Sequence, residues 1–452
     1  MSEPASDTAA RSAGHHDAFM RRLSEGSLHV GVIGLGNVGL PLALAFVEHG
    51  QLRVTGFDID DAKVTQLNRG EGYIMHLGQD RVRAARASGR FDATSDFSRL
   101  GEPDALLIAV PTPLTSGREP DMRFVTDTTQ AIARALRPGQ LIVLESTSYP
   151  GTTEELVQPL LERSGLRSGL DFFLAFSPER EDPGNREFGT ADIPKLVGGV
   201  DANATSVALA LYRKAVKTVV PVASAAVAEA AKLTENIFRA VNIALVNELK
   251  VIYEKMGLDI WEVLDAAQTK PFGFMRFNPG PGWGGHCIPV DPFYLTWKAR
   301  QFGIGTRFIE LAGEINVQIP QYVVERLSFA LRERGKSLAR SRVLLLGIAY
   351  KRNIDDLRES PAFDLMQRLT ACDANVTYHD PHVPRIPALR SRPELAARTS
   401  VPLTPEQLRD TDAVIIVTDH DAVDYPFVLE HAPLIIDTRG VYRQLHPKVV
   451  KA

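Results

Sequence analysis

In the first half of the chain, short apolar runs that end in glycine or polar residues alternate with helical stretches. The first run, residues 28–33, leads into a glycine-rich turn at 34–39 and then into a helical stretch at 41–46. Further apolar runs of strand length occupy residues 52–57, 105–110 and 141–144. Strands that alternate with helices indicate a parallel sheet covered on both faces, with ligands at the carboxyl ends of its strands.

The pattern changes in the middle of the chain. Residues 223–256 are rich in Ala, Leu and Asn and contain few helix breakers, so they predict one long helix. A second series of apolar runs follows at 342–346, 375–378, 413–417 and 434–436. We therefore predict an α/β fold of two Rossmann-like, doubly wound domains joined by a long central helix, which would also offer a dimer surface.

Composition and charge exclude several classes of protein. The 44% hydrophobic and 23% charged residues are ordinary for a globular chain, and a net charge of -4 favours neither nucleic acid nor an anionic membrane. No apolar run approaches the roughly 18 residues that a membrane helix needs. The two cysteines, Cys287 and Cys372, lie in unlike segments, so we expect no disulfide framework and a cytoplasmic setting.

The first 27 residues contain Arg21 and Arg22 but no apolar core after them, so they do not resemble a signal peptide. We expect a flexible tail at 1–27. The pair His15 and His16 within it is interpreted as solvated, because no further metal ligands surround it.

Gly34, Gly36 and Gly39 form a Gly-x-Gly-x-x-Gly motif directly after the first predicted strand, and Asp58 closes the next strand. Such glycines permit a tight turn and a close approach to a pyrophosphate, which the helix N-terminus stabilises. An acidic side chain can accept hydrogen bonds from the adenosine ribose and would repel a 2′-phosphate. Three glycines alone would also suit a structural turn, but the ordered strand, helix and acid favour binding of NAD over NADP.

The second predicted sheet lacks this motif, since Gly347 is followed by Ile-Ala-Tyr-Lys351 without further glycines. Side chains could still hold a different nucleotide there, and Lys351, Arg358 and Arg439 lie near predicted strand ends. Solvated surface charge is an equally good interpretation of each of these residues taken alone.

Cys287 lies in the glycine- and proline-rich stretch 279–291, which predicts a loop. A thiol on a loop is easier to reach, but a thiolate needs nearby cations or helix dipoles that the sequence does not show. The residues alone leave a nucleophile and a buried, inert thiol equally open. Cys372 is interpreted as core packing, and no metal is expected at His286 and Cys287 because no companion ligands stand at suitable spacing.

Together these residues resemble the nucleotide-sugar dehydrogenases, the UDP-glucose and GDP-mannose dehydrogenase family, over nearly the whole chain after the tail. The motifs that carry the resemblance are Pro111-Thr-Pro113, Glu145-Ser-Thr147, Ser177-Pro-Glu179, Lys232 with Asn236, Gly284-Gly-His-Cys287 with Asp291, and Asp355-Asp-Leu-Arg-Glu-Ser-Pro361. In that family a thiol at the position of Cys287 is the nucleophile. Two successive NAD+ reductions there convert the sugar C6 alcohol into a carboxylate.

The resemblance implies roles for further residues. Lys232 and Asn236, at positions i and i+4 of the predicted helix, would hold a water and the developing oxyanion, and Asp291 would assist proton transfer. Thr147 and Glu179 look like the family's water-handling pair near C6. The expected cofactor contacts are Gly34, Gly36, Asn37, Val38, Gly39, Asp58, Lys63, Pro111, Thr112 and Thr147. The expected substrate contacts are Glu179, Arg180, Lys232, Asn236, Arg276, Phe277, Gly284, Lys351 and Arg439.

The same resemblance divides the chain after the tail into three domains. We expect an NAD-binding Rossmann domain at 28–215, a central helical dimerisation domain with the cysteine loop at 216–325, and a UDP-sugar-binding α/β domain at 326–452. The expected partners are a UDP-sugar and a second copy of the chain, without nucleic acid or membrane.

The flanks of Cys287 bear on the sugar. Residues 177–185 and the Gly-Gly-His-Cys loop depart from the UDP-glucose pattern, which has a second glutamate after Ser-Pro-Glu and Gly-Gly-Ser-Cys in the loop. With 270–274 and 291–298 they are similar to the branch that oxidises UDP-N-acetylglucosamine, which implies a uronic acid for surface polysaccharide. UDP-glucose and UDP-N-acetylmannosamine stay open as substrates. A one-step alcohol dehydrogenase and an NAD-binding regulator without catalysis are less favoured.

Overall fold

We describe a computed structural model of the chain. The description covers residues 5–74, 77–115, 117–180, 191–285, 287–389 and 392–452, with side chains from residue 10 onward. The chain forms two compact units, which are Met1–Glu235 with Phe293–Ile304, and Asn236–Pro292 with Gly305–Ala452.

In its described residues, the first unit contains eight strands and seven α-helices of its own. The strands are β1 (His29–Ile33), β2 (Arg53–Phe57), β3 (Phe91–Thr94), β4 (Ala105–Ile108), β5 (Leu141–Leu144), β6 (Phe173–Phe176), β7 (Lys195–Gly199) and β8 (Val219–Pro221). The helices are α1 (Ala5–Ser24), α2 (Gly39–Glu48), α3 (Asp61–Asn68), α4 (Gln79–Ala87), α5 (Arg123–Ala135), α6 (Gln158–Leu161) and α7 (Ala202–Tyr212). The strands form one sheet in the order β3-β2-β1-β4-β5-β6-β7-β8.

One pairing departs from the predicted parallel sheet, so β7 and β8 both run opposite to the first six strands. β6 and β7 pair antiparallel, with Phe176 opposite Gly198, whereas the other neighbouring strands are parallel. β1, β4 and β5 are buried along their whole length, as expected for strands covered on both faces. Because β7 runs opposite to β6, its first residue lies at the edge where β5 and β6 end.

The flexible tail expected at 1–27 is wrong over Ala5–Ser24, which forms α1. Phe19 and Leu23 are buried in the core of the first unit. Ion pairs of 2.5 Å join Arg11 to Asp171 and Arg22 to Asp104. Tertiary contacts therefore order a segment whose own apolar pattern is too sparse to predict a helix.

Two helices, α8 and α10, include residues of both units. The helices that follow α7 are α8 (Ala225–Lys255), α9 (Ile260–Ala267), α10 (Asp291–Arg300), α11 (Arg307–Glu333), α12 (Pro361–Ala371), α13 (Pro405–Arg409) and α14 (Tyr425–His431). With 31 residues, α8 confirms the long helix that was predicted at 223–256. Among the described helices, none has the length and hydropathy to cross a membrane.

The second unit contains a five-stranded parallel sheet. Its strands are β9 (Arg342–Leu346), β10 (Asn375–His379), β11 (Ala413–Ile416), β12 (Ile435–Asp437) and β13 (Val449–Lys451). Their order is β10-β9-β11-β12-β13, so the direction of winding switches between β9 and β11. This is the strand order of a doubly wound sheet. The predicted α/β fold of two such sheets joined by a long helix is confirmed.

The interpretation of Cys372 as a core residue is wrong. Its thiol is exposed, because Cys372 follows the last turn of α12, where its backbone N–H caps the helix carbonyls. The apolar residues of α12 that pack into the core precede it.

Candidate active site

The turn between β1 and α2 carries the predicted dinucleotide motif. Gly34 has a φ of +91°, and a Cβ there would lie 2.6 Å from the carbonyl oxygen of Ala109. A Cβ at Gly39 would overlap the carbonyl oxygen of Gly34, whereas a Cβ at Gly36 would meet open space. Gly34 and Gly39 therefore serve the turn and its packing, and Gly36 leaves room for a pyrophosphate.

Asp58 follows β2 and is 8% exposed. Its Oδ2 accepts the backbone N–H of Leu35 at 2.9 Å, and its Oδ1 accepts that of Asp60 at 3.0 Å. The carboxylate thus holds the glycine turn, and it retains lone pairs for a ribose hydroxyl. Lys63 lies on α3 at the same corner, 4.0 Å from Asp60 and over the ring of Tyr73.

The remaining predicted cofactor contacts lie at the carboxyl ends of β1 and β4. Asn37 and Val38 precede α2, and the N-terminus of this helix has no side-chain cap. Free N–H groups at a helix N-terminus favour an anion such as a phosphate. Thr112 follows β4 and is buried, with its carbonyl accepting the hydroxyl of Tyr294 at 3.0 Å, while Pro111 is exposed.

Two side chains of α8 fix the loop that follows β5. Lys232 Nζ donates to Thr147 Oγ1 at 2.8 Å, and both residues are buried. One turn earlier, the fully buried Glu229 accepts the backbone N–H of Gly151 at 2.6 Å and that of Thr153 at 3.0 Å. Burial raises the pKa of Glu229 to about 7. The position of Thr147 is therefore tied to the helix that carries Lys232.

Glu179, beyond the end of β6, contacts a buried lysine. Lys195 Nζ lies 3.2 Å from Glu179 Oε2 and 2.6 Å from Glu145 Oε2. The hydroxyl of Tyr212 donates to Oε1 of Glu145. Burial raises the pKa of Glu145, although Lys195 opposes this shift. Two carboxylates thus share one ammonium at the carboxyl edge of the sheet.

Arg180 forms an ion pair within the first unit. Its guanidinium donates to both carboxylate oxygens of Glu235, at 2.7 and 3.1 Å, and to the carbonyl oxygen of Pro194 at 2.7 Å. The residues after Arg180, 181–190, lie outside the described part of the chain. They include most of the stretch that departs from the UDP-glucose pattern.

In the second unit, Cys287 is partly exposed and comes shortly before α10. Its carbonyl oxygen accepts the backbone N–H of Val290 at 3.2 Å and that of Asp291 at 2.8 Å. The carboxylate of Asp291 is fully buried and accepts Nδ2 of Asn236 at 2.7 Å. A turn closed on the first residue of α10 therefore holds the backbone of Cys287. His286 lies outside the described residues.

Arg358 supplies a cation close to Cys287. Its carbonyl oxygen accepts the backbone N–H of Gly285 at 3.0 Å, and its guanidinium donates to Asp356 at 2.6 to 3.0 Å. Burial alone would lower the pKa of Arg358, but Asp356 and, more weakly, Cys287 raise it. The backbone of Arg358 therefore packs against the loop that carries Cys287.

The loop that carries Cys287 fits closely against the segment after β9. A Cβ at Gly284 would lie 2.8 Å from the Cβ of Tyr350 and 3.0 Å from the carbonyl oxygen of Glu359. Gly284 therefore serves this close approach. The predicted substrate contact Lys351 follows Tyr350 directly and is partly exposed.

The start of the same loop is anchored to α8. Gly280 donates its N–H to Asn247 Oδ1 at 3.0 Å and accepts Lys250 Nζ at 2.9 Å. Burial lowers the pKa of Lys250 to about 7. A Cβ at Gly280 would lie 2.7 Å from Nη1 of Arg439, whose Nε donates to the carbonyl oxygen of Val417 at 2.7 Å. Arg439 therefore lies against the loop.

Two predicted substrate contacts have partners elsewhere in the second unit. Arg276 lies 2.5 Å from Oδ1 of Asp265, and Phe277 meets the ring of Phe238 edge to face at 5.7 Å. The structure thus groups Asn236, Gly284, Cys287 and Asp291 with Arg358, and leaves Arg276 and Phe277 in separate contacts.

Three buried residues, Lys195, Tyr212 and Glu229, were not identified from the sequence. A glutamate in the apolar first half of α8 was a usable signal, because a buried carboxylate needs partners. Lys195 opens a strand and gave no such signal. Across the described side chains, no group of three or more metal-ligating residues occurs.

A glycine turn followed by an acidic residue at the end of the next strand is typical of a dinucleotide-dependent dehydrogenase. The chain belongs to the UDP-glucose/GDP-mannose dehydrogenase family, whose NAD binding domain matches residues 28–216, its central domain 226–318 and its UDP binding domain 344–444. It is an NAD-dependent nucleotide-sugar 6-dehydrogenase.

Individual relatives support this membership. The chain is 38% identical over 359 residues to UDP-N-acetyl-D-glucosamine 6-dehydrogenase of Pseudomonas aeruginosa, covering 79% of this chain and 83% of the relative. It is 34% identical over 433 residues to UDP-N-acetyl-D-mannosamine dehydrogenase of Salmonella typhi, and the match covers 92% of this chain and 99% of that relative. The solved structure of the UDP-D-ManNAc dehydrogenase of Pyrococcus horikoshii matches with a TM-score of 0.84 at 30% identity, covering 94% and 98%.

Proposed function

We propose that the enzyme oxidises UDP-N-acetyl-D-glucosamine at C6 to the uronic acid through a thioester on Cys287. The observation that carries the chemistry is the loop of Cys287, which is closed on Asp291 and packs against the backbone of Arg358. The sugar is supported by the 38% identity to the Pseudomonas enzyme and by the flanks of Cys287. UDP-N-acetyl-D-mannosamine is the second candidate, because a relative of that name covers 92% of the chain.

The second oxidation requires a nucleophile, which Cys287 supplies. An aldehyde has no further hydride to give until a nucleophile adds to it. The thiolate adds to the C6 aldehyde to form a thiohemiacetal, whose oxidation gives a thioester. Water then cleaves the thioester and releases the carboxylate and the thiolate. NAD+ held at the glycine turn of Gly34 and Gly36 would supply the oxidant for both steps, so two NADH are expected for each uronic acid.

The polar residues around these steps have separate tasks. The ammonium of Lys232, which Thr147 orients, and the amide of Asn236 stabilise the negative charge that develops on the C6 oxygen. Asp291 accepts a proton and holds the cysteine loop, since its backbone closes the turn at Cys287. Glu179 accepts a proton from the water that attacks the thioester, with Thr147 helping to place that water.

The roles proposed for the NAD contacts follow from the charge of each residue and from the space around it. The turn at Gly34, Asn37 and Val38 receives the pyrophosphate of NAD, and Asp58 receives the adenosine ribose. Pro111, Thr112 and Lys63 line the same cofactor region. The affinity of single variants for NAD tests each of these contacts.

The diphosphate of the substrate is bound through Lys351 and Arg439, which lie at the carboxyl edge of the second sheet. Arg180 and Arg276 are paired with carboxylates, so contact with an anionic substrate requires those ion pairs to open. Gly284 and Phe277 supply shape rather than charge.

We also propose that α8 forms part of a homodimer interface. Phe238, Leu245 and Ile252 recur every seventh residue and are 47%, 47% and 45% exposed. Seven-residue spacing places large apolar side chains along one stripe of a helix, which a second helix can cover.

The substrate is tested with a panel of four sugars, UDP-N-acetylglucosamine, UDP-N-acetylmannosamine, UDP-glucose and GDP-mannose, by measuring NADH formed per sugar consumed. We expect the fastest turnover with UDP-N-acetylglucosamine and two NADH for each uronic acid. Fast turnover of UDP-glucose alone would contradict the proposed substrate. One NADH per product would instead support a one-step alcohol dehydrogenase, and absence of turnover would support a non-catalytic NAD-binding role.

A further inference from the structure

Lys195 is a buried cation between two carboxylates. It is 5% exposed, and its two partners, Glu145 and Glu179, have side chains that are 0% and 10% exposed. An ammonium withdrawn from water loses hydration, and only close pairing of this kind offsets the loss. Strongly coupled buried charges cluster at functional sites more often than elsewhere, which makes this group a candidate for a role in the reaction.

The sheet topology explains why the lysine meets Glu179. β6 and β7 are antiparallel, with Ala175 opposite Gly199 and Phe176 opposite Gly198. Continuing this register beyond β6 places Glu179 directly opposite Lys195. The hydroxyl of Ser177 extends the pairing, since it donates to the carbonyl oxygen of Leu196 at 2.8 Å. A cross-strand pair thus fixes the contact.

We propose that Lys195 is a positioning residue of the dehydrogenase reaction, which orients Glu179 and keeps its carboxylate ionised to accept a proton from the attacking water. This inference rests on the proposed role of Glu179. Lys195 holds Oε2 of Glu179, and the backbone N–H of Arg180 donates to Oε1 at 2.8 Å. Both oxygens therefore have fixed donors.

The surrounding charges show what the loss of Lys195 would do. The ammonium of Lys195 lies between the carboxylates of Glu145 and Glu179, so its removal would leave them as close like charges. Glu145 would keep the hydroxyl of Tyr212 on α7 as a donor. Burial alone would lower the pKa of Lys195, but the two carboxylates raise it. On α8, Lys232 donates to Thr147 at 2.8 Å, and Glu235 forms an ion pair with Arg180 at 2.7 Å.

The test compares Lys195→Met with the wild type in the pH dependence of kcat, measured as NADH formed with saturating UDP-sugar and NAD. The acidic limb should move to higher pH by about 1 to 3 units, because an opposite charge at this distance lowers a carboxyl pKa by that amount. KM for NAD should stay unchanged. The matched control is Lys217→Met, since Lys217 forms an exposed ion pair with Asp192 and should leave the profile unchanged.

A second variant separates positioning from folding. Lys195→Met combined with Glu145→Gln leaves no unpaired Glu145 charge, so it should recover the thermal midpoint without recovering the wild-type acidic limb. A wild-type pH profile in this folded double variant would overturn the inference.

Glu179→Gln distinguishes the inference from the proposed function. If Glu179→Gln leaves kcat unchanged, the proposed role of Glu179 fails. If Glu179→Gln lowers kcat but neither Lys195 variant shifts the profile, the inference about Lys195 alone fails.

Discussion

The side-chain amide of Asn236 donates a 2.7 Å hydrogen bond to the carboxylate of Asp291, and the two residues are 9% and 0% exposed. The backbone N–H of Asp291 in turn donates to the carbonyl oxygen of Cys287. One series of hydrogen bonds therefore runs from a side chain of the long helix α8 to the backbone of Cys287. A change at Asp291 should act on the position and chemistry of Cys287.

Asp291→Asn should lower kcat about 100-fold, because it removes a proton acceptor while keeping the shape of the side chain. The measurement is the steady-state rate of NADH formation at saturating substrates. Asp127→Asn, at an exposed site on α5, is the matched control and should retain full activity. A kcat within twofold of wild type in Asp291→Asn would contradict the role given to this carboxylate.

Asp58→Asn should raise the Kd of NAD about tenfold or more, since a charged acceptor of the ribose hydroxyls is replaced by a neutral one. Discrimination against NADP should also fall, because the negative charge that repels the 2′-phosphate is gone. Titration calorimetry with both cofactors checks this, with Asp61→Asn on α3 as the control. Unchanged affinity for both cofactors would rule out a ribose contact by Asp58.

Glu229 should make the stability of the protein depend on pH. Burial raises its pKa from 4.5 to about 7 in the folded protein. Between these two values the unfolded chain releases a proton that the folded chain keeps. The contribution of Glu229 to the free energy of unfolding therefore falls by roughly 3 kcal/mol as the pH rises through this range.

Glu229→Gln removes this titration, so the free energy of unfolding of the variant should fall less between pH 5 and pH 7 than that of the wild type. Urea titration at the two pH values measures the difference. Glu248→Gln, at an exposed position of the same helix, should follow the wild type. Parallel behaviour of Glu229→Gln and wild type would show that Glu229 keeps an ordinary pKa.

Leu245→Asp should weaken the proposed homodimer, because it places a charge in the middle of the exposed apolar stripe of α8. Sedimentation velocity at micromolar concentration should show a monomer for this variant and a dimer for the wild type. Thr65→Asp adds the same charge at an exposed site on α3 and should remain dimeric. A wild-type sedimentation coefficient for Leu245→Asp would exclude this stripe from the interface.

Much of the fold was predictable because strands buried on both faces form continuous apolar runs. The run at 141–144 coincides with β5, and the long helix at 223–256 differs from α8 by one or two residues at each end. α1 escaped prediction because contacts distant in sequence order it, namely the burial of Phe19 and Leu23 in the core and ion pairs to Asp104 and Asp171. The direction of β7 is likewise set by pairing with β6, which no local pattern specifies.

The candidate site was predictable where a motif is local and not where two distant segments meet. The glycine turn and the loop of Cys287 can be recognised from neighbouring residues. Arg358 and Lys195 could not be assigned from sequence. The packing of Arg358 against the loop of Cys287 depends on tertiary structure, and the pairing of Lys195 with Glu179 depends on strand register. Arg358 was noted only as a charge near a strand end, and the structure places its backbone against the loop of Cys287.

The most direct test of the account is the yield of uronic acid from Cys287→Ala, with NAD affinity measured on the same preparation and Cys372→Ala, which removes the exposed thiol, as the control. The account predicts that Cys287→Ala binds NAD with wild-type affinity and forms no uronic acid, while Cys372→Ala forms it at the wild-type rate. A normal yield of uronic acid from Cys287→Ala would contradict the covalent mechanism.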